Sequence, residues 1–90
     1  MLQEVFTFAE AQALQGNLLR ATQDYKDEHD RTLIPNQDVC SVIGLDVWDE
    51  DFAGIAVQYN AGEFPKVVLM NKTTYHEYFE NMSLRSVAAV

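Results

Sequence analysis

The chain lacks several features, and each absence excludes a class of protein. Cys40 is the single cysteine among 90 residues, so no disulfide can form within the chain and a reducing compartment fits. No apolar run approaches the roughly 20 residues that span a bilayer. The N-terminus has no basic stretch and carries an acid at Glu4, unlike a signal peptide. We therefore expect a cytoplasmic protein that does not enter membranes.

Motifs for metal binding and catalysis are also missing. The two histidines, His29 and His76, stand in no HxH or HExxH spacing, and no CxxC pair exists. Cys40 has no basic neighbour in sequence, which favours a buried thiol over a nucleophile. The sequence has no GxSxG motif and no glycine-rich phosphate loop. We expect no cofactor, no metal site and no enzyme activity.

Positive charge is scarce. Six Lys and Arg residues stand against 14 Asp and Glu residues, which gives a net charge of −8. The bases are scattered along the chain, at Arg20, Lys26, Arg31, Lys66, Lys72 and Arg85. Because affinity for a phosphate backbone depends on clustered cations, direct nucleic-acid binding is disfavoured. An acidic surface suits either a basic protein partner or simple solubility.

The length predicts one domain, spanning residues 1–90. A domain this short buries only about 60–65% of the surface that its unfolded chain exposes, so its stability margin is thin. Self-association offsets such a margin, and we expect a homodimer.

A long first helix is predicted after a short strand at residues 3–6. Thr7 and Glu10 have the spacing of a capping box, in which each side chain bonds the backbone amide of the other residue. Apolar residues then recur at steps of three and four, typical of one face of a helix. The residues of this stripe are Ala11, Leu14, Leu18, Ala21 and Tyr25. The pattern predicts a helix from Thr7 to about His29.

The rest of the chain predicts three strands and a second helix. Two β-like runs, 39–48 and 52–59, flank the acidic turn "DED". Alternate residues of the second run are predicted to share one face of a strand, and these are Ala53, Ile55, Val57 and Tyr59. The run "KVVLM" at 66–70 is too continuously apolar for a one-sided edge strand and is expected to be central or covered on both sides. Asn71 is predicted to cap a helix over 72–83. The order β-α-β-β-β-α indicates an α+β fold with helices packed on one face of a small sheet.

Two stretches resemble the Phd/YefM-type antitoxins of toxin–antitoxin operons. "TFAEAQALQGNLLRA" is similar to the first helix of that family, and "VVLMNKTTYHEYFEN" is similar to its later strand and capped helix. The resemblance implies a dimeric scaffold that binds a partner protein, a basic toxin. Gln12 stands where the family has an arginine that grips DNA, residues 30–60 are longer, and only "LRSVAAV" follows the second helix. DNA repression and tail-mediated toxin binding are therefore not carried over.

The sharpest polar feature is a group of four acids beside two aromatic residues. Asp46, Asp49, Glu50 and Asp51 lie close in sequence without the spacing of a calcium loop. Trp48 and Phe52 flank them, and an aromatic patch rimmed by acids is a common form of protein interface. The predicted partner-binding residues are Trp48, Asp49, Glu50, Asp51, Phe52 and, on the second helix, Tyr78. The alternative interpretation is that the acids form a solvated hairpin tip and that Trp48 and Phe52 pack in the core.

Two other functions stay open beside an antitoxin-like interaction protein. The carboxylates could mimic phosphates, so that the protein blocks a DNA- or RNA-binding protein as a decoy. Alternatively, a pocket between sheet and helices could bind a small molecule, because aromatic residues are plentiful. The candidate aromatic residues are Phe6, Tyr25, Trp48, Tyr75 and Phe79, whose simplest use is in the core.

Overall fold

The computed structural model describes residues 5–83 and is mostly β-sheet, with 50% strand and 19% helix. Its elements, in chain order, are β1 (Phe6–Thr7), α1 (Phe8–Ala13), β2 (Leu18–Ala21), β3 (Tyr25–Lys26), β4 (Thr32–Ile34), β5 (Val39–Val47), β6 (Phe52–Ala61), β7 (Phe64–Met70), α2 (Lys72–Tyr78) and β8 (Phe79–Asn81). The predicted domain of residues 1–90 and the predicted strand at 3–6 extend in part outside the described residues.

The main sheet is antiparallel and curls into a half-barrel. Its strands run in the order β1-β6-β5-β2-β8, and β7 also pairs with β6. Strands β1 and β7 share one side of β6, since β1 pairs with Phe52 and Ala53 and β7 pairs with the segment from Ile55 onward. Strands β3 and β4 form a separate two-stranded hairpin.

The predicted fold class is wrong, because the structure is not a helix-packed α+β fold with the order β-α-β-β-β-α. The largest error lies in the first predicted helix, which ends at Ala13. Gly16 has a φ of 84°, a left-handed conformation that breaks the helix. The following residues form β2, where Leu19 and Ala21 are fully buried. Pairing of β2 with β5 and β8 outweighs the helical spacing of the apolar residues.

The second helix is also shorter than predicted. It ends at Tyr78, and Phe79 has an extended backbone with φ −134° and ψ 152°. Residues Phe79–Asn81 instead form β8, which pairs with β2 at the edge of the sheet. Strand pairing with β2 therefore takes the place of the last predicted turn of the helix.

Both predicted helix caps are confirmed. The Thr7 hydroxyl accepts from the Glu10 amide at 3.2 Å, and the Thr7 amide donates to the Glu10 carboxylate at 2.9 Å. The Asn71 side chain accepts from the Thr74 amide at 2.9 Å. These bonds satisfy amides at the helix start that have no partner within the helix.

The core lies on the inner face of the curled sheet. Strand β6 contributes its alternate residues as predicted, with Ala53, Ile55, Val57 and Tyr59 all buried. Both helices add to this cluster, and the Phe6 and Tyr75 rings meet edge to face at 5.5 Å. The remaining core residues are Ala11, Leu14, Leu19, Ala21, Ile34, Cys40, Val42, Met70 and Phe79.

Strand β7 is not central, contrary to the prediction from its apolar run. Within residues 5–83 it pairs only with β6. Val67 is 51% exposed and Leu69 56% exposed, so one face of this strand is open to solvent. The run is apolar on both faces although only one face is covered. The sequence pattern therefore predicted a central strand incorrectly.

Candidate functional site

The turn between β5 and β6 is held by hydrogen bonds to two residues. The amides of Trp48 and Asp49 both donate to the Phe52 carbonyl, at 3.1 and 3.2 Å. The Asp49 carboxylate accepts from the amides of Asp51 and Phe52, at 2.8 and 3.0 Å. One of its oxygens therefore closes the turn. We call residues 46–52 the acidic tip.

The two aromatic residues of the acidic tip are half exposed, and a hydrogen bond holds the Trp48 ring in place. The Trp48 indole Nε1 donates to the Asp46 carboxylate at 2.7 Å. The ring lies over Gly54, where an added Cβ would sit 3.0 Å from the indole Cζ2. Trp48 is 44% exposed and Phe52 40% exposed. The tip thus presents two large apolar side chains, of which Trp48 has little freedom left to lose on binding.

The carboxylates of the acidic tip are open to solvent. Asp49, Glu50 and Asp51 are all exposed, and Asp46 is half buried under its bond to Trp48. No basic residue occurs between positions 46 and 52. The tip is therefore a concentrated negative surface next to apolar area.

Tyr78, the sixth predicted site residue, does not join the other five. Its ring packs edge to face on Tyr25 at 5.2 Å, and its carbonyl accepts from the Thr22 amide at 2.7 Å. Thr22 follows β2, which pairs with the start of β5, whereas the tip lies at the far end of β5. Strand β5 has nine residues at roughly 3.3 Å each, so Tyr78 and the acidic tip lie about 25 Å apart along this strand.

Sequence reasoning missed an apolar area on the outer face of the sheet. Cross-strand pairs place Val67 opposite Gln58, Gln58 opposite Ser41, and Ser41 opposite Leu18. A bulge in β5 leaves Ile43 out of register and 49% exposed. The exposed large apolar residues of this outer area are Leu18, Val39, Ile43, Val67 and Leu69. Exposed apolar area of this kind marks interaction surfaces in soluble proteins.

A cavity of about 230 Å³ opens where β5 and β6 separate beyond the Ser41–Gln58 pair. Cys40 lines it, and the residue is only 4% exposed. Burial, with a smaller effect of Asp38, raises the pKa of the Cys40 thiol to about 12. The thiol stays protonated near neutral pH and is a poor nucleophile. No cluster of three or more His, Cys, Asp or Glu residues suits a metal ion within 5–83.

Comparisons with protein-family models, with curated proteins and with solved structures found no match in any of the three. The two helices of residues 5–83 are both too short to cross a bilayer.

Proposed function

We propose that this chain is a small acidic interaction protein, without enzyme activity, that binds a basic protein partner through the acidic tip. The observation that supports this is the pairing of half-exposed Trp48 and Phe52 with three exposed carboxylates on one hydrogen-bonded turn. Aromatic anchors supply much of the binding energy of protein interfaces. Carboxylates around them would steer a basic partner and select against acidic ones.

The antitoxin-like assignment belongs to this proposal in a reduced form. The two capped turns that carry the resemblance are formed, at Thr7 and at Asn71. The long helices that the resemblance implied are absent from the described residues, so the proposal rests on the tip and not on a shared scaffold. We infer a cytoplasmic homodimer that binds a basic protein, a toxin being one candidate.

The first experiment identifies the partner. Wild-type protein and a Trp48→Ala/Phe52→Ala double variant would serve as parallel baits in an extract of the native host. A protein retained only by the wild type would then be purified and titrated by calorimetry. We expect the double variant to bind it at least about tenfold more weakly, because hot-spot aromatics contribute about 2 kcal/mol or more each. Equal retention of every protein by both baits would refute the proposal.

The second experiment separates an apolar interface from a nucleic-acid decoy. A triple variant, Asp49→Asn, Glu50→Gln and Asp51→Asn, removes three charges, and the new amide side chain at position 49 keeps an acceptor oxygen for the turn. Its matched control neutralises three exposed glutamates elsewhere, Glu28, Glu63 and Glu77, as glutamines. We expect the tip variant to lose a few-fold in affinity and the control to lose less.

Salt distinguishes the two functions further. A complex made by apolar contacts keeps most of its affinity at high ionic strength, whereas a phosphate-mimic complex weakens steeply. If the affinity collapsed in salt and the aromatic double variant still bound normally, the decoy function would replace our proposal.

A further inference from the structure

A second cleft lies between the β3–β4 hairpin and the β6–β7 end of the sheet. Its volume is about 270 Å³, and it is lined by Asp27, Arg31, Thr32, Leu33, Tyr59 and Lys66. Tyr59 stands seven residues along β6 from Phe52, which is about 23 Å at roughly 3.3 Å per residue. The cleft is therefore separate from the acidic tip, and a ligand bound in it would be independent of the proposed function.

Lys66 is an exposed residue of β7 that also lines the cleft. It pairs in register with Tyr59 and lies on the same face of β7 as Val68 and Met70, the face that covers the core. The ion pairs found within residues 5–83 do not include Lys66. Lys66 thus lines the cleft without an ion-pair partner in the described part of the chain.

Arg31 adds a second cation, which is held in position by Asp27. The Arg31 Nε donates to the Asp27 carboxylate at 2.9 Å, and the amides of His29 and Arg31 donate to its other oxygen. These bonds, the Arg31 amide first, lower the pKa of Asp27, so the carboxylate stays ionised. A guanidinium carries five N–H donors, and the bond to Asp27 uses one of them. The remaining donors can meet an anion.

Two residues, Leu33 and Tyr59, give the otherwise polar cleft an apolar wall. Tyr59 is 7% exposed, and Leu33 packs against the core cluster. The Thr32 hydroxyl adds one neutral donor. The lining therefore combines two cations, one anion and an aromatic surface, a net charge of +1 in a chain whose net charge is −8.

We propose that this cleft binds a small organic carboxylate, with the carboxyl group between Lys66 and Arg31 and an apolar body against Tyr59 and Leu33. Pockets for small ligands usually measure about 300–1,000 Å³ and place a few polar groups around apolar walls. At about 270 Å³ the cleft suits a compact acid of one ring. Clefts of this kind recur at the mouths of curled β-sheets and barrels.

The test is an amide NMR titration of the full ¹⁵N-labelled chain with benzoate. Benzamide serves as the neutral isostere, and inorganic phosphate serves as an anion without an apolar body. We expect saturable shifts around Arg31, Thr32 and Lys66 with benzoate, and much weaker ones with the other two probes. Equal affinity for benzamide would overturn the role of the cations. Equal affinity for phosphate would overturn the organic part of the ligand.

Variants then assign the binding to the two cations. Lys66→Met and Arg31→Gln should each weaken benzoate binding about tenfold, the effect of losing one charge-assisted hydrogen bond at a partly exposed site. Lys26→Met, which removes one charge from a residue outside the lining, should leave the affinity within about twofold. The amide spectrum of each variant without ligand verifies its fold. Unchanged affinity in folded Lys66→Met, or an absence of saturable shifts in the wild type, would refute the site.

Discussion

Trp48 and Asp46 are joined by a hydrogen bond of 2.7 Å between the indole Nε1 and the carboxylate Oδ2. Asp46 pairs in register with Gly54, and the indole lies over that glycine. The three residues therefore act as one unit, in which a carboxylate orients the ring and a missing side chain makes room for it. This unit determines how the acidic tip presents its larger aromatic side chain.

Gly54→Ala should displace the indole. The added Cβ would lie 3.0 Å from the Trp48 ring and 2.9 Å from the Met70 carbonyl oxygen, which is backbone and cannot rotate away. We expect a loss of about 1–3 kcal/mol in the free energy of unfolding, typical of overpacking, together with a shift in Trp48 fluorescence. Urea unfolding followed by tryptophan emission measures both.

Gly44→Ala is the matched control for that change. Gly44 also lies in the middle of a strand, but a Cβ there would meet only the Ala56 methyl group, at 4.0 Å. We expect its stability to stay within about 0.5 kcal/mol of the wild type, as surface substitutions do. Equal losses in the two variants would show that close packing under the indole is not the cause.

The features that sequence predicted well are those that depend on neighbours in the chain. The caps at Thr7 and Asn71 each join residues three positions apart, so their chemistry is visible without the fold. The acidic turn between β5 and β6 is equally local, since it lies between two strands that adjoin it in the chain. The alternation of β6 was readable because one of its faces is fully buried.

The features that sequence missed depend on distant partners. Residues Leu18–Ala21 continue a helical spacing, but they also alternate, and only pairing with β5 and β8 decides between the two. Gly16 was the local signal of that break. Arg31 and Lys66 line one cleft although 35 positions separate them, so no motif could have joined them.

Stability at alkaline pH should depend on Cys40. Its thiol has a folded pKa of about 12, raised from an ordinary value of 9.0. Above about pH 9 the unfolded chain releases this proton while the folded chain keeps it. The contribution of the thiol to the free energy of unfolding is therefore complete below pH 9 and is lost as the pH rises toward 12. The difference between these two pKa values corresponds to at most about 4 kcal/mol in the free energy of unfolding.

Cys40→Ala tests this dependence. At neutral pH we expect the variant to be about 1 kcal/mol less stable than the wild type, because a small cavity replaces the sulfur. At about pH 10.5 the wild type should have lost about 2 kcal/mol more than the variant, which would reverse their order. Urea unfolding at both pH values provides the comparison. Parallel pH profiles for the two proteins would contradict the prediction.

Stability at acidic pH should depend on Glu10. The Thr7 amide, followed by Lys72, lowers the pKa of the Glu10 carboxyl below its usual 4.5. The contribution of the ionised Glu10 carboxylate to stability is therefore present above about pH 4.5 and is lost as the pH falls through its pKa in the folded chain. Lys72 lies 3.1 Å from the same carboxylate and ties the start of α2 to α1.

Glu10→Gln keeps an oxygen for the Thr7 amide but removes the charge. We expect a lower melting temperature than the wild type at neutral pH and a difference that shrinks as the pH falls through the lowered pKa of Glu10, since protonation then neutralises the wild-type carboxyl as well. Glu63→Gln, at an exposed position in the β6–β7 turn, should show a smaller difference at neutral pH. A gap that persisted unchanged in acid would assign the effect to packing and not to charge.

The predicted homodimer should form along β7. This strand has seven residues and pairs only with β6 within the described part of the chain, so its outer edge can template a second copy. Phe64, Val67 and Leu69 are 51–68% exposed along it. Antiparallel pairing of two β7 strands would continue the sheet across a two-fold axis and leave both acidic tips free.

Val67→Glu should convert the dimer to a monomer, because Val67 is the central residue of β7 and the two-fold axis would bring the two new carboxylates close together. Val39→Glu adds the same charge at a position 46% exposed on β5 and should leave the dimer intact. Sedimentation velocity at about 100 μM, well above the Kd expected of a modest interface, measures the mass of each protein. A monomeric wild type would exclude the dimer. Dissociation by both variants would mean that added charge opposes association wherever it lies, and β7 would then have no special role.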